Sequence, residues 1–176
     1  MAGKPLVDGI FRVVRDVAVR ALNRAVDPKT RKRESQRSQK NSTGYPGDFT
    51  DRPRIVYQPI KDGRPDPGEV VWTWVPYEED YSQGKDRPVL LVGRDGEWLL
   101  GLQVTSQDHD RDRDQEARAG RYWIDIGAGA WDNQRRPSEA RVNRLIRIDP
   151  DAVRRVGAIL DEALFDDVAR EVLRHY

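Results

Sequence analysis

A chain of 176 residues, 37% hydrophobic and 35% charged, has room for one domain with an appendage and is polar enough that part of it lies outside any core. The absence of cysteine excludes a disulfide framework, thiolate metal sites and a cysteine nucleophile, and two histidines, His109 and His175, leave little for a metal centre, so neither metal nor cofactor is expected. The net charge of +1 conceals a division: residues 1–50 carry 11 Lys/Arg against 5 Asp/Glu and the remainder 20 against 25, a basic arm on an acidic body, as in chains that meet nucleic acid or an anionic surface.

From Pro5 to Ala25, apolar residues recur at Leu6, Ile10, Phe11, Val14, Val17, Ala18, Ala21, Leu22 and Ala25. This spacing predicts an amphipathic helix over residues 1–26, stopped by Asp27-Pro28. The stripe suits packing against a partner or the body of the protein; a membrane surface is the lesser alternative. Arg12, Arg15 and Asp16 interrupt the stretch and no apolar run reaches a membrane span, so a soluble cytoplasmic protein is expected. Residues 27–50 read as a basic, disordered linker, since Lys29–Gly44 offers nothing apolar to bury.

The compact part begins near Tyr45, with the domain proper at 51–176. "EVVWTWV" (Glu69–Val75) is β-branched and aromatic, "PVLLVGR" opens at Pro88, and Asp95-Gly96 turns the chain into "EWLLGLQVTS". "RYWIDIG", "RVNRLIRI" and "RVGAIL" supply three further strands, and Asp161 caps a last helix with a stripe of Leu164, Phe165, Val168, Val172 and Leu173. Five or six short strands and a C-terminal helix predict a mainly β fold, a small barrel.

Arg87-Pro88 stands at the expected mouth of the second strand, and Thr105 and Ser106 at the end of the third. An antiparallel hairpin makes Arg87 and Thr105 neighbours at one rim. A guanidinium beside a hydroxyl suits a phosphate. The bland alternative is a rim salt bridge from Arg87 to Glu79 or Asp80 and an ordinary strand threonine. His109 titrates near neutrality and sits three residues past Ser106, but the "DHDRDRDQE" run around it reads as a solvated loop. Trp131, in "GAGAWDNQRRP", is the tryptophan most apt to be exposed and to stack on a base, although a core anchor is the favoured reading. Trp72, Trp74, Trp98 and Trp123 fit the core and barrel surface.

"PGEVVWTWVPYEEDYSQGKDRPVLLVGR", "VTSQ", "RYWIDIG" and "RVNRLIRIDPDAVRRVGAIL" together resemble the MazF/PemK family of toxin ribonucleases from type II toxin–antitoxin systems. The resemblance runs from about Pro67 to the C-terminus and rests on the order of the Gly68–Trp72 start, the Q-G-x-x-R-P segment and the T-S-Q strand end. It implies an SH3-like barrel, usually a homodimer, that cuts single-stranded RNA such as mRNA without a metal and is held by a cognate antitoxin. It implies catalytic roles for Arg87 and Thr105, with the substrate's 2′-hydroxyl as nucleophile. Ser106, Gln83, Lys85, Trp131 and His109 are expected to contact RNA around them. Two departures stand out: Ser82 occupies a place where many members carry glutamate, so Glu79 or Asp80 would have to supply any acid needed there, and the N-terminal fifty residues have no counterpart in the compact members.

Overall fold

The computed structural model describes residues 44–106 and 113–176, with side chains in the second segment from Glu116 onward. The expected N-terminal helix, the basic linker up to residue 43, and His109 lie outside the described residues.

Six strands form one antiparallel sheet: β1 Glu69–Pro76, β2 Gly84–Asp95, β3 Trp98–Thr105, β4 Trp123–Gly127, β5 Ser138–Ile148 and β6 Arg155–Ile159. Two helices accompany them, α1 Arg113–Arg118 and α2 Glu162–Val172, and a 3-10 turn at Pro150–Ala152 follows the Asp149 cap. The spatial order is β4-β5-β3-β2-β1-β6. Period-two alternation along these strands splits the apolar residues between two faces. Leu90, Val92, Leu100 and Leu102 join Phe165, Val168 and Val172 of α2 in one buried cluster. Val71, Val89, Leu91, Leu99 and Ile146 form a second cluster, covered by Tyr45, Val153 and Val156.

The expectation of a closed barrel needs correction. β4 and β6 are the two edges of the sheet, each five residues long, and among the described residues no ladder joins them. The loop after β4 spans the gap instead. The main-chain carbonyl of Trp131 accepts a hydrogen bond from Trp72 Nε1 of β1 at 2.8 Å, and Gly157 of β6 lies so close that a Cβ there would stand 3.3 Å from Trp131.

Other sequence readings shift as well. The acidic-basic run read as a solvated loop ends in α1, where Glu116 accepts hydrogen bonds from Arg121 Nε at 2.6 Å and Trp123 Nε1 at 3.1 Å. The first described residues, placed in the linker by composition, belong to the compact unit. Phe49 N donates to Leu145 O at 2.8 Å, and Asp48 pairs with the buried Arg144 at 2.7 Å. The β2–β3 turn is shifted by one residue from the expected pair: Asp95 faces Trp98, so Gly96 and Glu97 are its central residues. Gly96 at φ 60 and Glu97 with negative φ make it a type II′ turn, which requires glycine first. Asp161 caps α2 as expected, accepting from Ala163 N and Leu164 N.

Candidate active site

The second strand starts at Gly84, four residues before its expected beginning, so Arg87 lies within β2 and not at its mouth. β1 pairs with this early part through Trp72↔Pro88, Thr73↔Arg87 and Val75↔Lys85. The ladder to β3 begins only at Val89↔Gln103. Pro88 thus sits where β2 has a ladder on one side alone, a place in a sheet that accepts a residue without an N–H. Beyond it β2 and β3 are no longer paired. Continuing the register by two residues in each strand sets Arg87 opposite Thr105.

A cleft of about 180 Å³ opens at this split, lined by Trp72, Asp86, Arg87, Pro88, Val104, Thr105, Ser106, Trp131, Asp132, Arg136 and Ser138. Arg87 and Thr105 share the strand parity of Val89, whereas Trp72, Pro88 and Val104 have the other. A cavity lined by both parities opens at the strand ends and not on one face of the sheet.

Among the residues expected to act, Arg87, Thr105, Ser106 and Trp131 meet in this cleft. Gln83 and Lys85 are not among its lining residues: Gln83 Nε2 donates to Asp80 Oδ2 at 2.7 Å, and Lys85 is exposed. The alternative of a salt bridge from Arg87 to Asp80 lacks its acceptor, because Asp80 is occupied by Gln83 and by the Ser82 hydroxyl at 2.6 Å; these bonds hold its carboxyl below the usual range. No ion pair joins Arg87 to Glu79 among the described residues.

Trp131 is the core anchor that its sequence favoured, and the alternative of an exposed stacking platform fails. It is 4% exposed and its indole N–H donates to Ser138 Oγ at 3.1 Å, while the Ser138 hydroxyl donates to Arg136 O at 3.2 Å. A Cβ on Gly129 would collide with the ring, so the glycine in "GAGAW" exists to let the loop close over it. The four strand tryptophans are all half-buried instead. Small residues immediately before Trp131 were the signal that it is covered by its own loop.

Sequence reasoning also missed Asp132, Arg136 and Asp86. Asp132 accepts from Arg136 Nε at 2.7 Å and Nη2 at 3.3 Å, and from the amides of Gln134 at 3.2 Å and Arg136 at 3.1 Å. The Arg136 side chain, with these amides, pulls the Asp132 pKa down to about 2 against a smaller opposing effect of burial. Asp86 pairs with Arg154 at 2.9 Å, and the Arg155 guanidinium lies 5.5 Å from the Trp72 ring centre. The rim therefore carries several guanidinium groups around an aromatic wall, an arrangement able to receive a phosphate and an adjacent base. Among the described residues no group of three or more His, Asp or Glu side chains is arranged to hold a metal.

A sequence model described as the PemK-like, MazF-like toxin of type II toxin–antitoxin systems matches residues 66–176. Among solved structures, the chain is similar to MazF (Form-I) from Deinococcus radiodurans, at 16% identity and a TM-score of 0.45, covering 63% of this chain and 94% of that one. It is similar to MazE–MazF (Form-II) from the same organism at 14% identity and a TM-score of 0.42, covering 63% and 94%. Mycobacterium tuberculosis toxin MazF-mt6 follows at 15% identity and 0.40, covering 61% and 94%. No curated protein matches.

Proposed function

Because the chain belongs to the PemK-like, MazF-like toxin family of type II toxin–antitoxin systems, we propose that it is a cytoplasmic endoribonuclease, cutting single-stranded RNA without a metal and restrained by a cognate antitoxin. The observation that carries this reading is the cleft opened at Pro88, with Arg87 and Thr105 on its two sides. Arg87 offers a planar fork of donors that keeps its charge at any working pH, suited to the extra negative charge of a pentacoordinate phosphorus. Thr105 donates or accepts one hydrogen bond and holds the phosphate in register. The nucleophile is the substrate's own 2′-hydroxyl, so the 5′ fragment ends in a 2′,3′-cyclic phosphate and the 3′ fragment begins with a 5′-hydroxyl. Two copies of the chain form the working unit.

Purified protein incubated with a long unstructured RNA, with and without EDTA, tests the proposal. Cleavage should persist in EDTA. A strand with 2′-deoxyribose at the scissile position alone should bind and remain intact. Cutting of that strand, or strict dependence on Mg²⁺, would replace this mechanism by metal-assisted hydrolysis, and RNA binding without cleavage would make the protein a binding module.

A further inference from the structure

A 2′-hydroxyl must lose its proton as it attacks phosphorus, and the groups lining the cleft are poorly suited to take it. Arg87 stays protonated far above working pH, and a threonine hydroxyl is no base at neutrality. Asp132 has its four acceptor directions filled by Arg136 and the amide of Gln134. Asp86 alternates with Arg87 along β2 and so has the opposite strand parity to Arg87 and Thr105.

The sheet brings in another carboxyl. On the side of Thr105 away from β2, the β5 partner is Glu139. Directly opposed residues of an antiparallel ladder share a face, with Cβ atoms roughly 4.5–5.5 Å apart. Guanidinium, hydroxyl and carboxyl therefore stand in one row across β2, β3 and β5, with strands about 4.8 Å apart. Glu139 is half-buried and, although not itself a lining residue, shares the strand parity of Thr105, which lines the cleft. Asp125, its partner on β4, is exposed, and its Oδ1 accepts from Gly127 N at 2.7 Å. A phosphate seated between Arg87 and Thr105 lies one strand from Glu139.

We propose that Glu139 is the proton acceptor of the cleavage step, an assignment that rests on the ribonuclease reading above. The Glu139 carboxylate takes the 2′-hydroxyl proton while an oxygen electron pair forms the bond to phosphorus. The bond from phosphorus to the 5′-oxygen breaks, its electron pair departs with that oxygen, and solvent protonates it. Arg87 donates to the non-bridging oxygens throughout.

Single-turnover cleavage at saturating RNA separates this role from its rivals. Glu139→Gln should keep its melting temperature and its affinity for the 2′-deoxy-substituted strand while cutting about a hundredfold more slowly or worse. The deficit should persist on a substrate with sulfur in place of the 5′-bridging oxygen, because a better leaving group does not replace a missing base. A deficit that vanishes with sulfur would assign Glu139 to the leaving group and overturn the proposal. Loss of affinity in proportion to rate would overturn it too, leaving a binding residue. Where the glutamine variant does not fold, Glu139→Asp, with its carboxyl drawn back by one methylene, should cut about tenfold more slowly, and a wild-type rate overturns the assignment. Undiminished cleavage by Glu139→Gln beside an inactive Arg87→Ala defeats the Glu139 assignment alone. A wild-type protein that leaves RNA intact defeats the ribonuclease reading itself.

Discussion

Arg87 and Asp132 both bear on the cleft, and they differ in what their charges are tied to. Asp132 is bound by its own loop, so its charge organises the cleft wall. Arg87 is paired with neither Asp80 nor Glu79 among the described residues, so its fork is available to a ligand. Arg87→Ala should lower cleavage by at least a hundredfold, about 3 kcal/mol of transition-state stabilisation, at an unchanged melting temperature. Arg87→Lys should recover little of it, since a point charge lacks the bidentate geometry. Single-turnover rates check both. For Asp132 the folded pKa, about 2, lies below the ordinary aspartate value of about 3.9. Its stabilising contribution is complete above the ordinary value and disappears as pH falls through the folded one. Urea midpoints of the wild type and Asp132→Asn should differ by a constant amount above pH ~4 and converge towards pH ~2. A gap that stays open at pH ~2 would show that the carboxylate charge is not what matters.

At the scale of elements, the site is built by a partial ladder. β2 is twelve residues long, yet its first part is paired with β1 alone, and Pro88 marks the change. The start of this ribbon depends on Gly84. A Cβ there would press on the Val75 carbonyl oxygen and lie 2.6 Å from the Trp74 ring. Gly84→Ala should therefore cost about 1–3 kcal/mol through overpacking and displace the strand that carries Arg87. Chemical unfolding, read alongside cleavage, tests this; an alanine variant of native stability would mean that the ribbon tolerates displacement. The loop after β4 is the second such element. Trp131→Ala removes the side chain that fills the space between the two sheet edges, and should destabilise the protein by about 3–5 kcal/mol in urea titration. Two buried guanidinium groups hold the β1–β2 connection. Arg141 pairs with Glu78 at 2.8 Å, and Arg144 pairs with Asp48 while donating to Pro76 O at 3.0 Å, both holding the start of the turn between β1 and β2.

For the molecule as a whole, the charge division sets the problem of bringing a polyanion to an acidic body. Residues 1–50 carry a net +6 and the remainder −5. If cations such as Lys29, Arg31, Lys32, Arg33, Arg37 and Lys40 meet phosphates, binding of single-stranded RNA should weaken with salt, with a slope of about −4 in log K against log salt for six contacts. Deleting residues 1–43 should flatten that slope and weaken binding at low salt, with little change in the single-turnover rate at saturating RNA. Binding isotherms at several salt concentrations, with melting temperatures of both forms, check this. An unchanged slope with a large fall in melting temperature would make the arm a structural element.

The sequence by itself determined the strands, the C-terminal helix and the meeting of Arg87 and Thr105 at one end of the β2–β3 hairpin. Those features depend on short-range signals: alternation in Glu69–Val75, the aspartate cap at Asp161, a glycine turn between two strands. The R-P pair and the T-S-Q end were legible as neighbours because a short turn brings the start of one strand beside the end of the next, while the bulge between Leu91 and Gly93 that sets their register was not. Only the tertiary structure decided that β2 begins at Gly84, because a strand's start depends on its partner, and Pro76 sits opposite that glycine. It also decided between the two readings of Trp131, since contacts from β1 and β6 join its own loop in holding it. The openness of the sheet was likewise illegible, because no local pattern says whether two edge strands will meet. Glu139 joined the row of Thr105 through a β3–β5 pairing between strands separated by α1 and β4. Long-range register of that kind is set by how the whole sheet packs its two apolar faces, and no spacing along the chain records it.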